Sequence, residues 1–307
     1  MSLSEARGPG GQPIALLGEA PYDGEALEAL EGVRFRLPCG DPWIRKSNAP
    51  EHVYLESARE AWELTPEWMD FLDLESPAND IKRASRDIYL HHWAEHLGGR
   101  RVLDVGCGIG RLTHPFLDRG ATVIGIDADL ASLQRCAWYA ARRPGYLDLY
   151  WTTTARLPEV GQFDTVVACE SLNYVPDVQG AVAAIVERMV PGGVFLLAVE
   201  AEWGWVCGPD APEGGLETAL SGGVLDLPGD RWVRTMSREA LCELLEAAGL
   251  VVEKVVPTHY LIDGPLEDVM PGSLSLEELL EAEERCRQHP VWAPLNRIWT
   301  AVARRPA

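Results

Sequence analysis

Arg101-Val102-Leu103-Asp104-Val105-Gly106-Cys107-Gly108-Ile109-Gly110 is the stretch that decides the fold. Val102 to Val105 reads as a short strand, and it runs into a turn with glycine at every second position. Leu112, Phe116 and Leu117 then give an apolar stripe at helical spacing. Strand, glycine turn and helix together present backbone amides to a small anionic group at a helix N-terminus. The next apolar run, Ala121-Thr122-Val123-Ile124-Gly125-Ile126-Asp127, ends in an acid. A carboxylate there is placed to accept hydrogen bonds from ribose hydroxyls. The two strands predict a nucleoside cofactor.

The dinucleotide fingerprint G-x-G-x-x-G needs a third glycine where this chain has Arg111, which counts against NAD. The spacing instead reads D-x-G-x-G-x-G from Asp104. It resembles the first motif of the class I S-adenosylmethionine-dependent methyltransferases, with Asp127 in the place of that family's ribose acid. The resemblance implies S-adenosylmethionine as cofactor and S-adenosylhomocysteine as its product. It assigns cofactor contacts to Asp104, Gly106, Cys107, Gly108, Gly110, Asp127 and Ala128. The competing reading is a βαβ turn with a structural role only.

From residue 101 strands and helices alternate, the signature of a parallel sheet. Strands are expected at 101–106, 122–127, 147–152, 163–169 and 193–199, with helices at 110–119, 129–142 and 178–190. Pro191-Gly192-Gly193 should stop a helix and start a buried strand. Ser237 caps a helix to Ala248, Leu250–Val256 and Ile298–Ala303 read as strands, and Ser275-Leu276-Glu277-Glu278 has capping-box spacing. The resemblance implies a Rossmann-like α/β fold with seven mostly parallel strands in the order 3-2-1-4-5-7-6. Residues 81–200 and 235–307 are expected to form this core. Residues 1–80 read as an N-terminal cap, with short strands at Ile14–Leu17 and Val33–Leu37 and a loop at 38–50, and a long helix at Asn79–Leu97 leads from it into the first core strand. Residues 201–234, rich in glycine, proline and tryptophan, read as an irregular insert over the substrate site.

Composition narrows the partners. The 307 residues carry a net charge of −20, which repels phosphate backbones and anionic membranes and argues against nucleic-acid substrates. No run is long enough to span a membrane, and no signal peptide is visible. The seven cysteines include no C-x-x-C pair, as in a reduced, cytoplasmic protein. Only three of the 27 cationic residues are lysine, a bias that suggests a GC-rich bacterial source. His92 and His96 stand one helical turn apart, but no third ligand accompanies them, so no metal is expected.

Methyl transfer from a sulfonium is an in-line displacement, so the protein mainly aligns nucleophile, methyl and sulfur in a dry pocket. Glu170-Ser171-Leu172-Asn173-Tyr174-Val175-Pro176-Asp177 follows the fourth core strand and is similar to the E-x-L-E-H-V-x-D run of small-molecule methyltransferases, including ubiquinone-biosynthesis O-methyltransferases. Asn173 and Tyr174 replace an acid and a histidine. Glu170 is therefore a candidate to accept a proton or hold an amine, or else to order the loop beside the cofactor. Tyr174 is a candidate to orient the acceptor. Thr154 and Ala155 stand where the family meets adenine, and Arg86 lies on a helix from which relatives reach the cofactor carboxylate. Trp43, Tyr54, Trp203 and Trp205 could enclose a flat or cationic acceptor, with Glu200 beside them for an amine.

The reading is a cytoplasmic methyltransferase of secondary metabolism, monomeric or homodimeric. Its acceptor is a small aromatic or amine-bearing molecule, with O-, N- and C-methylation all open. Two rivals stand beside it: a non-methylating reaction of the same cofactor, such as cyclisation, decarboxylation or aminopropyl transfer, and a non-catalytic partner subunit.

Overall fold

A computed structural model describes residues 15–17, 32–35, 43–46 and 80–307, with gaps at 129–131, 134–135, 137–138, 141–142, 158, 205, 207–213, 218–222, 227–231 and 267–273. Its centre is the glycine turn. Strand β4 (Arg101–Val105) enters it, and α2 (Thr113–Asp118) leaves it. β4 pairs in parallel with β5 (Thr122–Asp127) on one side and β7 (Phe163–Cys169) on the other. β6 (Tyr146–Trp151) adds to β5, and β8 (Met189–Glu200) adds to β7, both in parallel. β12 (Ile298–Arg304) lies antiparallel to β8, and β11 (Val251–Thr258) closes that edge against β12. The order β6-β5-β4-β7-β8-β12-β11 is the expected 3-2-1-4-5-7-6.

The sheet is larger than expected. β1 (Ala15–Leu17), β2 (Gly32–Phe35) and β3 (Trp43–Lys46) extend it beyond β6, giving ten strands. The segment around Trp43, expected as a loop, is thus a strand. The insert also differs, because β9 (Val224–Asp226) and β10 (Trp232–Arg234) pair as a hairpin within it.

Helices cover both faces of the sheet, as parallel strands require. Leu103, Val105, Ile124, Val166, Phe195 and Leu197 pack under α3 (Val178–Glu187) and α4 (Arg238–Ala247). Val102, Val123, Val167 and Leu196 pack under α2 and α1 (Asp80–His92). Helix α1 ends at His92, earlier than expected, and a 3-10 turn (Ala94–His96) follows; Trp93 between them is fully buried, and its Nε1 donates to the carbonyl of Ala301 in β12. Ser237 caps α4 through the amide of Ala240, and Ser275 with Glu278 forms the capping box of α5 (Leu276–Gln288). Helix α3 stops at Glu187, before Pro191-Gly192-Gly193. Those residues lie within β8, where the pairing with β7 shifts register and Gly192 takes φ +79°.

Candidate functional site

The carboxyl ends of β4, β5 and β7 meet at the glycine turn. Gly106, Gly108 and Gly110 all have left-handed backbone, at φ +69°, +51° and +97°. A Cβ at Gly106 would stand 2.2 Å from that of Ser171, and one at Gly110 would stand 2.3 Å from the His114 ring. These two glycines are close-packing devices. Gly108 is different, because a Cβ there would meet nothing within 4 Å. The turn is pinned by Ile126, whose carbonyl accepts from the amides of Gly106 and Cys107. Asp127 then reaches back from the end of β5 and accepts from the Gly108 amide at 2.7 Å. Ala128 beside it accepts from Trp151 Nε1, tying β5 to β6. Thr154, nearly buried, opens a short 3-10 turn after β6, and Ala155 beside it is exposed.

Asp104 lies at the end of β4, directly before the turn. It is buried and accepts from Thr113 Oγ1 at 2.5 Å. Burial raises its carboxyl to about 7, against the smaller pull of the Thr113 hydroxyl. Cys107 is likewise buried, and burial pushes its thiol up.

Beside the turn lies a cluster of charges that local sequence patterns did not reveal. Arg111 ion-pairs with Glu170 Oε1. Arg297 donates to Glu170 Oε2 at 3.1 Å and to both oxygens of Glu200, at 2.9 and 3.2 Å. Its Nη1 also meets the carbonyl of Asp263. Lys82 holds the Asp263 carboxylate at 2.7 Å. Three cations and three anions thus meet at the ends of β7 and β8. The Arg111 guanidinium lies 5.4 Å from the Tyr89 ring centroid, and the Tyr89 hydroxyl donates to Glu170 Oε1 at 2.8 Å.

This pairing decides the two acids. Burial would raise the Glu170 carboxyl, but Arg111 and Arg297 outweigh it and hold it well below the usual carboxylate range. Glu170 therefore stays ionised at neutral pH and is a poor proton acceptor. Glu200, expected at an amine site, is 1% exposed and turned into the Arg297 fork. Nearby His259 is fully buried and pushed down to about 3 by burial, so it is a weak base.

A pH dependence follows. The folded Glu170 pKa lies below its unfolded value of about 4.3, so the pairing stabilises the fold fully above that value. Its contribution disappears as the pH falls further. Urea stability should drop from about pH 5 to about pH 3, and the drop should be shallower in Glu170→Gln. An equal slope in both proteins would refute this account of Glu170.

Arg86 pairs with its neighbour Asp87 at 2.8 Å instead of reaching the turn. Tyr174 packs against Leu225 and Val233 of the β9–β10 hairpin, and Asn173 donates to the carbonyl of Arg234. Trp203 is half-buried in a turn, and its carbonyl accepts from Val206. Tyr54 and Trp205 lie outside the described residues, as does the side chain of Trp43. Among the described residues no group of three or more His, Cys, Asp or Glu is arranged to hold a metal.

Comparison with known proteins agrees with this architecture. The chain is 39% identical to a ubiquinone biosynthesis O-methyltransferase of Brucella anthropi over 101 residues, 33% of this chain and 41% of that protein. It is 35% identical to the Escherichia coli O157:H7 protein of the same description over 125 residues, 39% of this chain and 52% of that one. The chain thus spans about half or less of these relatives. Its fold is similar to that of magnesium protoporphyrin IX methyltransferase from Synechocystis, with TM-score 0.54, 15% identity, and coverage of 82% of this chain and 99% of that one. It is also similar to an N-methyltransferase from Bradyrhizobium japonicum, with TM-score 0.52, 16% identity, and coverage of 84% and 100%. The family model described as a methyltransferase domain matches residues 67–255, more than half of the chain, and the chain belongs to that family.

Proposed function

We propose that the chain is an S-adenosylmethionine-dependent methyltransferase acting on a small molecule. The observation that carries this reading is the Asp127 carboxylate, held at the Gly108 amide beside a position where a side chain would meet nothing. That combination fits a ribose lying against the turn. Left-handed Gly108, with no Cβ and open space beside it, lets a ligand approach the backbone closely. When bound, the cofactor supplies an activated methyl group on a sulfonium.

The protein's own part is to bind, align and exclude water. Asp127 would hold the ribose hydroxyls, the amides around Gly108 would border the methionyl part, and Thr154 and Ala155 would border the adenine. The β9–β10 hairpin, packed on Tyr174, supports the insert as a cover over the acceptor. Tyr174 would orient that acceptor. Glu170 supports the site as a fixed anion rather than as a base. We infer an acceptor that is aromatic or amine-bearing and needs little help to lose a proton. The seven cysteines, none in a C-x-x-C pair, support a reducing, cytoplasmic setting.

Calorimetry with S-adenosylmethionine and S-adenosylhomocysteine tests the reading. Both should bind, and Asp127→Ala should weaken binding by more than about 1 kcal/mol, because a charged acceptor is lost. No binding at millimolar concentration would overturn the function, and unchanged affinity in Asp127→Ala would overturn the ribose assignment. Transfer of labelled methyl across a panel of phenols, amines and keto acids would identify the acceptor.

A further inference from the structure

Among the described residues, the non-glycine residues with left-handed backbone are Glu170 at φ +53°, His259 at +60° and Asp263 at +51°. Residues with a Cβ adopt this region reluctantly, and such backbone persists only where surrounding contacts enforce it. Each of the three meets one side chain of α1. Tyr89 donates to Glu170 at 2.8 Å, Ser85 Oγ shares a hydrogen bond with His259 Nε2 at 3.0 Å, and Lys82 Nζ lies 2.7 Å from both oxygens of Asp263. Residues 82, 85 and 89 share one face of a helix. That face is buried and polar, an expensive arrangement unless every group is paired.

The three held residues govern the two arginines of the cluster. Glu170 takes both Arg111 and Arg297. The carbonyl of Asp263 accepts from the Arg297 side chain, and the carbonyl of His259 accepts from the Arg297 amide. Tyr89 also stacks on the His259 ring at 4.5 Å. The same loop is braced from the other side by Glu283 of α5, which accepts from the amides of Tyr260 and Leu261.

We propose that α1 is a positioning helix, in which Lys82, Ser85 and Tyr89 hold Asp263, His259 and Glu170 in left-handed conformations and so fix Arg111 and Arg297 beside the glycine turn. This rests on the methyl-transfer reading of the site. Each of the three α1 residues acts through the residue it holds. In-line transfer is sensitive to alignment, and a displacement of about 1 Å costs on the order of a hundredfold in rate. Cofactor affinity, set at Gly108 and Asp127, should be much less sensitive.

The test uses the full chain with Tyr89→Phe, Lys82→Met and the conservative Lys82→Arg. Three quantities are measured: S-adenosylmethionine affinity by calorimetry, kcat and KM with the best acceptor of the phenol, amine and keto-acid panel, and amide hydrogen exchange at 259–264. Tyr89→Phe removes one hydroxyl and should leave the chain folded. Tyr89→Phe and Lys82→Met should each lower kcat about tenfold or more, with cofactor affinity within about twofold of the wild type. Lys82→Met should speed exchange at 259–264, and Lys82→Arg should restore most of the rate. Unchanged kcat, or a loss of kcat matched by an equal loss of cofactor affinity, would overturn the proposal. A wild-type protein that binds no S-adenosylmethionine would sink the functional reading instead. The exchange measurement would still decide the positioning, because unchanged protection at 259–264 in Lys82→Met refutes it.

Discussion

Arg297→Met is expected to destabilise the protein by about 3–5 kcal/mol at neutral pH, the usual cost of removing one partner from a buried ion pair. The reason is Glu200. It is 1% exposed, and both of its oxygens receive the Arg297 fork. Without the guanidinium, a buried carboxylate either stays charged without that pairing or takes up a proton. Arg297→Lys keeps the charge but cannot reproduce the bidentate geometry, so it should fall between methionine and the wild type. The double variant Arg297→Met with Glu200→Gln should recover part of the loss, since the two changes act on one interaction. Urea denaturation at pH 7 measures all three. A cost below about 1 kcal/mol for Arg297→Met would mean that the pair behaves like an exposed one.

The second large effect separates two glycines of one turn. Gly106→Ala should cost about 2–5 kcal/mol, the sum of about 1–2 for left-handed backbone and about 1–3 for overpacking. The new methyl would stand 2.2 Å from Ser171 Cβ. Ser171 cannot readily yield, because its hydroxyl donates to the Val105 carbonyl at 2.6 Å. Gly108→Ala meets no neighbour and should cost only the backbone part, about 1–2 kcal/mol. Its methyl points into the space assigned to the cofactor, so S-adenosylmethionine affinity should fall tenfold or more while the fold survives. Thermal unfolding and calorimetry on both variants check this. Equal stability of the two would contradict the packing at Ser171, and full affinity in Gly108→Ala would contradict the cofactor's placement.

How much of this was legible beforehand depends on whether a signal is local. The run Val102 to Gly110 and the acid at Asp127 are adjacent features, and they located the central strands and the turn. The caps at Ser237 and Ser275 are also local, and they stand where expected. The cluster of Arg111, Glu170, Glu200, Asp263, Arg297 and Lys82 has no such signature. Its members come from six separate segments and meet only through the sheet. One hint was present, since Lys82, Ser85 and Tyr89 have the spacing of a single helix face. A charged residue on such a face reads as solvated until its partner is known. Glu200 illustrates the converse: an acid at a strand end looked available to an amine, and a distant arginine had already taken it. The strand at Trp43–Lys46 was missed because Pro38 and Pro50 frame it with turn-like sequence.

The pairings of α1 and Arg297 bridge long stretches of chain: 181 residues from Lys82 to Asp263, 174 from Ser85 to His259 and 127 from Glu170 to Arg297. Contacts this distant must pay for closing large loops before they contribute, so they form late in folding. The glycine turn needs only β4, β5 and their neighbours, all complete by Cys169. A refolding chain should therefore gain its cofactor turn early and its charge cluster last. Activity should return on the slowest phase, after most of the sheet has formed, and a chain still emerging from the ribosome should stay inactive until β12 is in place.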